Sequence, residues 1–266
     1  MISKYRESFN KNFSKEKYQE FQDELIAGYA KIPFRVAETP VFIPKELSEK
    51  LVAAGEEIIE LINQADFKDL TAASIPDQWR VPGENDHPHF LAFDFGITRD
   101  QNGELVPMLI EMQGFPSLYG FQLHLAKVYA KSFGLEDTLT PLFGAFNEQG
   151  YLELLKQVIL GDHEPHEVAL MDVNALDQKT AIDFLVTQKY VGMKILALAD
   201  IFKEGKSLFY LENGQKIQLK RIYNRLIFDE VADQQDIFKE SFDPREELDI
   251  EWVTHPNWFY RISKYT

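Results

Sequence analysis

The chain has 266 residues, 45% of them hydrophobic, which is ample apolar content for a packed core in one large domain or two modest ones. A formal net charge of −15 argues against a nucleic-acid partner, which would need a basic face, but leaves room for a small anionic ligand held by a local cluster. With no cysteine there is no disulfide scaffold, thiolate metal site or cysteine nucleophile. No apolar run approaches the roughly 20 residues of a membrane span, and the opening MISKYRESFNKNFSKEK has no apolar stretch of a secretory signal, so a cytoplasmic protein without membrane contact is expected.

Helices come first. Tyr18, Phe21, Leu25 and Tyr29 recur at helical spacing up to a stop at Pro33, and a second helix starts near Pro44 and carries Leu47, Leu51, Ala54, Ile58 and Leu61. Residues 71–88 turn loop-like, with Pro76, Pro82, Gly83 and Pro88 as breakers. Residues 1–85 therefore read as a helical N-terminal arm packed on an α/β domain that fills 86–266. That domain opens with a hairpin of residues 90–98 and 104–112. If Asn102-Gly103 is a two-residue turn, Asp94 lies directly across from Glu111. Like charges so placed are destabilising unless a cation, a basic side chain or a ligand amine offsets them. The pair is either ligand-facing or, with a slipped register or splayed side chains, simply solvated.

After Glu111 come Met112, Gln113, Gly114, Phe115, Pro116 and Ser117, a loop that leads into a helix over residues 121–133. Backbone N–H groups at such a start favour anions, and Ser117 either caps the helix or touches a ligand; a plain connection fits the pattern equally well. His163 and His166 flank Pro165 outside any metal-ligand spacing, and His87 and His89 lie in another loop. The run Val168-Ala169-Leu170-Met171, ending on Asp172, reads as a buried strand. Asn174 is expected to cap a helix with Ala181, Phe184 and Leu185 on its apolar stripe and Lys179 and Asp183 pointing away. A second strand ends on Asp200, which completes a βαβ unit whose two strand-end aspartates lie where open α/β sheets bind ligands, or serve as turn residues. Asn213-Gly214 then closes a hairpin whose second strand is read as running on through Arg221, Tyr223 and Arg225. Two guanidinium groups on one strand face need anions, either the chain's own carboxylates or those of a substrate. There is no GxGxxG after a strand, no Walker loop and no identifiable Ser-His-Asp set. Residues 250–253 read as a last strand, followed by an aromatic-rich helix start, HPNWFYRISKYT, in which the pattern breaks off at its strongest; a missing C-terminal half is expected.

The order of these parts carries a resemblance. The strand, acid and loop of LIEMQGFPSLYG, the βαβ unit, the Asn-Gly hairpin, KRIYNRLIFDEV and HPNWFYRISKYT together resemble the front portion of the ATP-grasp ligases, in particular the circularly permuted, glutathionylspermidine-synthase-like group. Ile222-Tyr223-Asn224-Arg225 is similar to that group's "xYRR"-type strand, with Asn224 in place of the first Arg, and RISK is similar to its Asp-Lys helix start, with Ser263 in place of the Asp. The resemblance covers residue 90 onward and implies a Rossmann-like pre-ATP-grasp domain of an ATP-dependent carboxylate–amine ligase, inactive alone. It carries over Glu111, Gln113, Ser117, Tyr223 and Arg225 as substrate-facing, for a small carboxylate or amine, and Lys264 as a position near the hinge to the ATP-binding part. ATP and Mg2+ are implied for the complete ligase, with no cofactor, metal or catalytic residue expected within this chain. The alternative is a non-catalytic α/β binding or interaction module.

Overall fold

A computed structural model of the chain describes residues 2–262 other than Ala30, Ala145 and Glu240, and the side chains of all of these except 233–235. The organising strand is β3 (Val168–Asp172), buried along its whole length. Its side chains alternate between two interiors. Val168 and Leu170 face one cluster with Leu155, Ile159, Phe184, Val191 and Tyr223. Ala169 and Met171 face another with Trp79, Leu208, Tyr210, Leu219 and Ile222. A continuous apolar run is what a parallel sheet covered on both faces requires. β3 indeed sits inside a four-stranded parallel sheet, between β4 (Lys194–Ala197) and β8 (Arg221–Asn224), with β9 (Glu251–Val253) outermost beside β8.

Ahead of this sheet lie α1 (Ser3–Asn12), α2 (Lys15–Ile26), α3 (Lys45–Ile62) and the short α4 (Phe67–Leu70). They are followed by the hairpin β1 (Ala92–Arg99) and β2 (Leu105–Gln113), then α5 (Tyr119–Phe133) and α6 (Glu148–Leu160). The crossover from β3 to β4 is α7 (Ala181–Val191), which is buried on both sides. Its Phe184 and Val191 lie on the sheet, whereas Ile182 and Val186 join Phe9, Phe21, Leu25, Tyr129 and Phe133 in a third cluster. Helices α1 and α2 are thus packed against α5 and α7. Phe21 is fully buried there, its ring centroid 4.3 Å from that of Tyr129, and burying a side chain of that size is worth about 1.5–3 kcal/mol. The sheet's opposite face is covered by the antiparallel β5 (Phe202–Glu204), β6 (Ser207–Glu212) and β7 (Gln215–Leu219), and by Ile75, Trp79, Val81, Phe228, Val231, Phe238 and Phe242. The chain is therefore a mixed α/β protein with a helical N-terminal region. Among the described residues no helix is long and apolar enough to cross a membrane.

Several expectations shift. The Asn213-Gly214 turn is as expected, with both residues at positive φ and Glu212 paired to Gln215. Its second strand does not run on, however. At Lys220, whose N–H goes to Glu167 and whose carbonyl accepts from Glu251, the chain leaves the antiparallel sheet and enters the parallel one as β8. The first hairpin has a three-residue loop ending in Gly103 at φ +82, closed by the Asp100 amide on the Glu104 carbonyl at 2.9 Å. That loop puts the ladder one residue out of the expected register, and a bulge at Ile110 returns it, so Asp94 still faces Glu111. Asn174 opens only a 3-10 turn over Ala175–Asp177, and α7 starts later, after Thr180. The segment holding α6 was assigned no element, although Tyr151, Leu155 and Ile159 recur at four-residue spacing after Asn147, whose side chain caps the helix at Gly150.

A last helix, α8 (Pro256–Arg261), is tied to residues 67–85. Arg261 holds Glu84 with Nε at 2.5 Å and Nη2 at 3.1 Å, and Asn257 bonds Glu84 and both backbone groups of Val81. Trp258 is fully buried, donates to Asn85 at 3.0 Å and stacks on Phe67. Lys264 and Ser263, singled out in the sequence, lie outside the described residues.

Candidate functional site

Open α/β sheets bind ligands beyond the C-terminal ends of their strands. At that end β8 is followed by Arg225, whose N–H continues the pairing to the Met171 carbonyl at 2.9 Å. Its guanidinium lies between the rings of Phe115 and Phe184, each centroid 5.2 Å from Cζ, and Nη1 donates to the Pro116 carbonyl. Nε is buried with no hydrogen-bond partner, and Nη2 makes no hydrogen bond to the described residues. Nε and Nη2 form one edge of the fork, the geometry that matches a carboxylate bidentately. That edge is unused by the described residues.

Two acids accompany the fork without forming an ion pair with it. Asp172, at the end of β3, is 4% exposed, and Oδ1 accepts from the Val173 amide at 2.6 Å and from Gln178 at 3.2 Å. Burial pushes its carboxyl up to about 6; the hydrogen bonds and the charge of Arg225 oppose this without cancelling it. Asp183, expected to point into solvent, is fully buried because α7 is covered on both sides. Its Oδ1 accepts the Phe121 amide at 2.9 Å, Oδ2 has no partner, and burial raises its pKa against the pull of Arg225.

The 114–118 loop bridges β2 and α5 over this end of the sheet. Gly114 allows a close approach, but to α8 rather than to a ligand: a Cβ there would stand 2.9 Å from the Trp258 carbonyl oxygen and 3.0 Å from Ile262 Cβ. Phe115 and Pro116 are buried and Ser117 is half-buried. Leu118 occupies the N-cap position of α5 in the left-handed conformation, φ 59 and ψ 27, and no loop side chain caps the helix. A non-glycine residue held there costs about 1–2 kcal/mol, so its neighbours must impose it. Ser117 therefore does not cap α5; the carboxylate of Asp183 meets that need from another helix.

The other singled-out residues separate into groups. Glu111 is half-buried and accepts from Gln113 at 3.0 Å, while Asp94 across the ladder is exposed. Neither Asp94 nor Glu111 forms an ion pair among the described residues, and no hydrogen bond links this hairpin group to Arg225. Tyr223 is 1% exposed, its ring 5.6 Å from that of Phe90 inside the core, and burial raises its phenol far above the usual range. Asp200 is exposed and accepts the Ala197 amide at 3.1 Å, closing a 3-10 turn. Arg221 is spent on structure: Nε and Nη2 each lie 3.0 Å from a carbonyl at the end of α6, and Nη1 pairs with Glu251. Asp183 is the residue the sequence reading missed, and the apolar residues on both sides of it in α7 were the available signal.

No family model and no curated protein matches the chain. Solved structures do. One is a glutathione synthetase-like effector from Globodera pallida in apo form, with a TM-score of 0.57 at 13% identity over 92% of this chain and 62% of that one. The fold described above is thus shared with a glutathione synthetase-like protein, of which the chain spans about 62% of the length.

Proposed function

We propose that this chain is the substrate-binding front portion of an ATP-dependent carboxylate–amine ligase of ATP-grasp type, with Arg225 holding a carboxylate of the substrate. The observation that carries the reading is the unused Nε/Nη2 edge of Arg225, set beyond the C-terminal ends of parallel strands. Half-buried Ser117 sits on the loop above it, and Asp172 is the nearby strand-end acid. Glu111 and Gln113, with Asp94 opposite, form a separate acidic group on the hairpin suited to a substrate amine. The likeness to a glutathione synthetase-like protein supports a relation to this kind of ligase at a coarse level. The permuted, glutathionylspermidine-synthase-like grouping rests on the sequence motifs.

In this reading MgATP would supply a phosphoryl group to the substrate carboxylate, with ADP leaving, so that phosphate is the group expelled when the amine attacks. Among the described residues no three His, Asp or Glu side chains converge to hold a metal ion, and no glycine-rich phosphate loop was found in the sequence. The nucleotide is read as held by protein outside these residues. The protein is read as cytoplasmic, acting on a small molecule.

Melting temperature measured with a panel of amino acids, short peptides, polyamines and MgATP tests this, because a ligand that binds only the folded form raises it. The expected result is a rise with a carboxylate ligand that is lost in Arg225→Ala, or with an amine ligand that is lost in Glu111→Gln, and none with MgATP. A rise with MgATP alone would overturn the reading. Silence throughout would favour a non-catalytic α/β module.

A further inference from the structure

We infer that Asp183 is a positioning residue, whose buried carboxylate sets the 114–118 loop and, through it, the fork of Arg225. This rests on Arg225 being the carboxylate-binding group. Helix α5 begins on a left-handed Leu118 and has no cap of its own, so amides of its first turn need an acceptor. Asp183 provides one across the helix–helix contact, with Oδ1 on the Phe121 amide at 2.9 Å. The contact has no slack: a Cβ on Gly120 would stand 2.3 Å from Thr187 Oγ1, one turn after Asp183. The same loop supplies the Pro116 carbonyl to Arg225 Nη1 and the Phe115 ring to one face of the guanidinium.

Oδ2 of Asp183 has no hydrogen-bond partner among the described residues, and burial raises the pKa of this carboxyl against the pull of Arg225 and of the Phe121 and Gly120 amides. Asp183 thus fixes the start of α5 through Oδ1, and the loop ahead of that helix carries the contacts of Pro116 and Phe115 to Arg225.

The test compares Asp183→Ala and Asp183→Asn with the unaltered 266-residue chain. Ala removes the acceptor for the Phe121 amide, and Asn keeps one. The readouts are melting temperature, solvent exchange of the Arg225 Nε–H followed by 15N NMR, and affinity for succinate as a probe carboxylate. The expected result is that in Asp183→Ala the Nε–H exchanges about tenfold faster and succinate binds about tenfold more weakly, and that Asp183→Asn restores both. Full wild-type protection of that proton in folded Asp183→Ala would overturn the inference. Should Asp183→Ala not fold, Leu118→Gly is added, since glycine adopts the left-handed conformation without strain. The double variant is then expected to fold with the fork still loosened, and restored protection would overturn the inference. Failure of succinate to bind the unaltered chain would sink the reading of Arg225 instead, and the exchange measurement, which needs no ligand, decides on Asp183 separately.

Discussion

Arg221 and Arg225 stand at opposite ends of β8, and the fold treats them oppositely. At the N-terminal end, Arg221 has every nitrogen of its guanidinium on an acceptor: two carbonyls of α6 and the Glu251 carboxylate. At the C-terminal end, Arg225 has one carbonyl and two rings, with a buried Nε left without a partner. Both are cations in an apolar setting, where an unpaired donor is costly. The difference lies in how much hydrogen-bonding capacity the protein consumes. A saturated guanidinium ties elements together, whereas one with an unfilled edge holds hydrogen-bonding capacity in reserve.

The comparison is broken most sharply by deleting the saturated member. Arg221→Ala is expected to lower unfolding stability by about 3 kcal/mol in a urea titration, since the end of α6 and Glu251 lose their shared donor. A loss below about 1 kcal/mol would mean that Arg221 is not the tie described.

The next effect is a pH dependence at the other end. Burial raises Asp172 to about 6, so folding favours its protonated form. The stability this contributes is complete below the unfolded pKa of about 3.9 and is lost as the pH rises through about 6. Asp172→Asn is therefore expected to be more stable than the unaltered chain by about 2 kcal/mol at pH 7.5 and equal to it near pH 3.5. Urea unfolding at the two pH values checks this, and a variant destabilised equally at both would contradict it.

Arg225→Ala is expected to cost only about 1 kcal/mol, because it removes a single hydrogen bond and an unsatisfied donor together. If its loss equals that of Arg221→Ala, the two ends do not differ in the way described. The smallest change is Asp200→Ala, expected to stay within about 1 kcal/mol and to leave ligand response untouched, since this exposed acid only closes a turn. A loss of ligand response there would extend the site along the strand ends.

Much of the fold was legible because its signals are local. The β3 run, the Asn213-Gly214 turn and the spacing of Tyr18, Phe21 and Leu25 each encode one element in a few residues. The Asp94–Glu111 register came out as read only because two one-residue departures cancel. The site was half legible: the loop after Glu111 and Arg225 could be named, but not that Arg221 would be consumed by the end of a helix some 60 residues earlier, α6, to which no element had been assigned. Asp183 was missed for a related reason. Its burial depends on α5 and the N-terminal helices covering a face of α7 that periodicity alone assigns to solvent.

A single spectrum tests the central claim: arginine side-chain 15N NMR of the unaltered chain, titrated with succinate and then with the amino acids and short peptides of the melting panel. The account predicts that the Arg225 Nε–H resonance moves with a carboxylate ligand while that of Arg221 stays in place. An Arg225 resonance indifferent to every carboxylate tried, or one that moves only in step with Arg221, would contradict it.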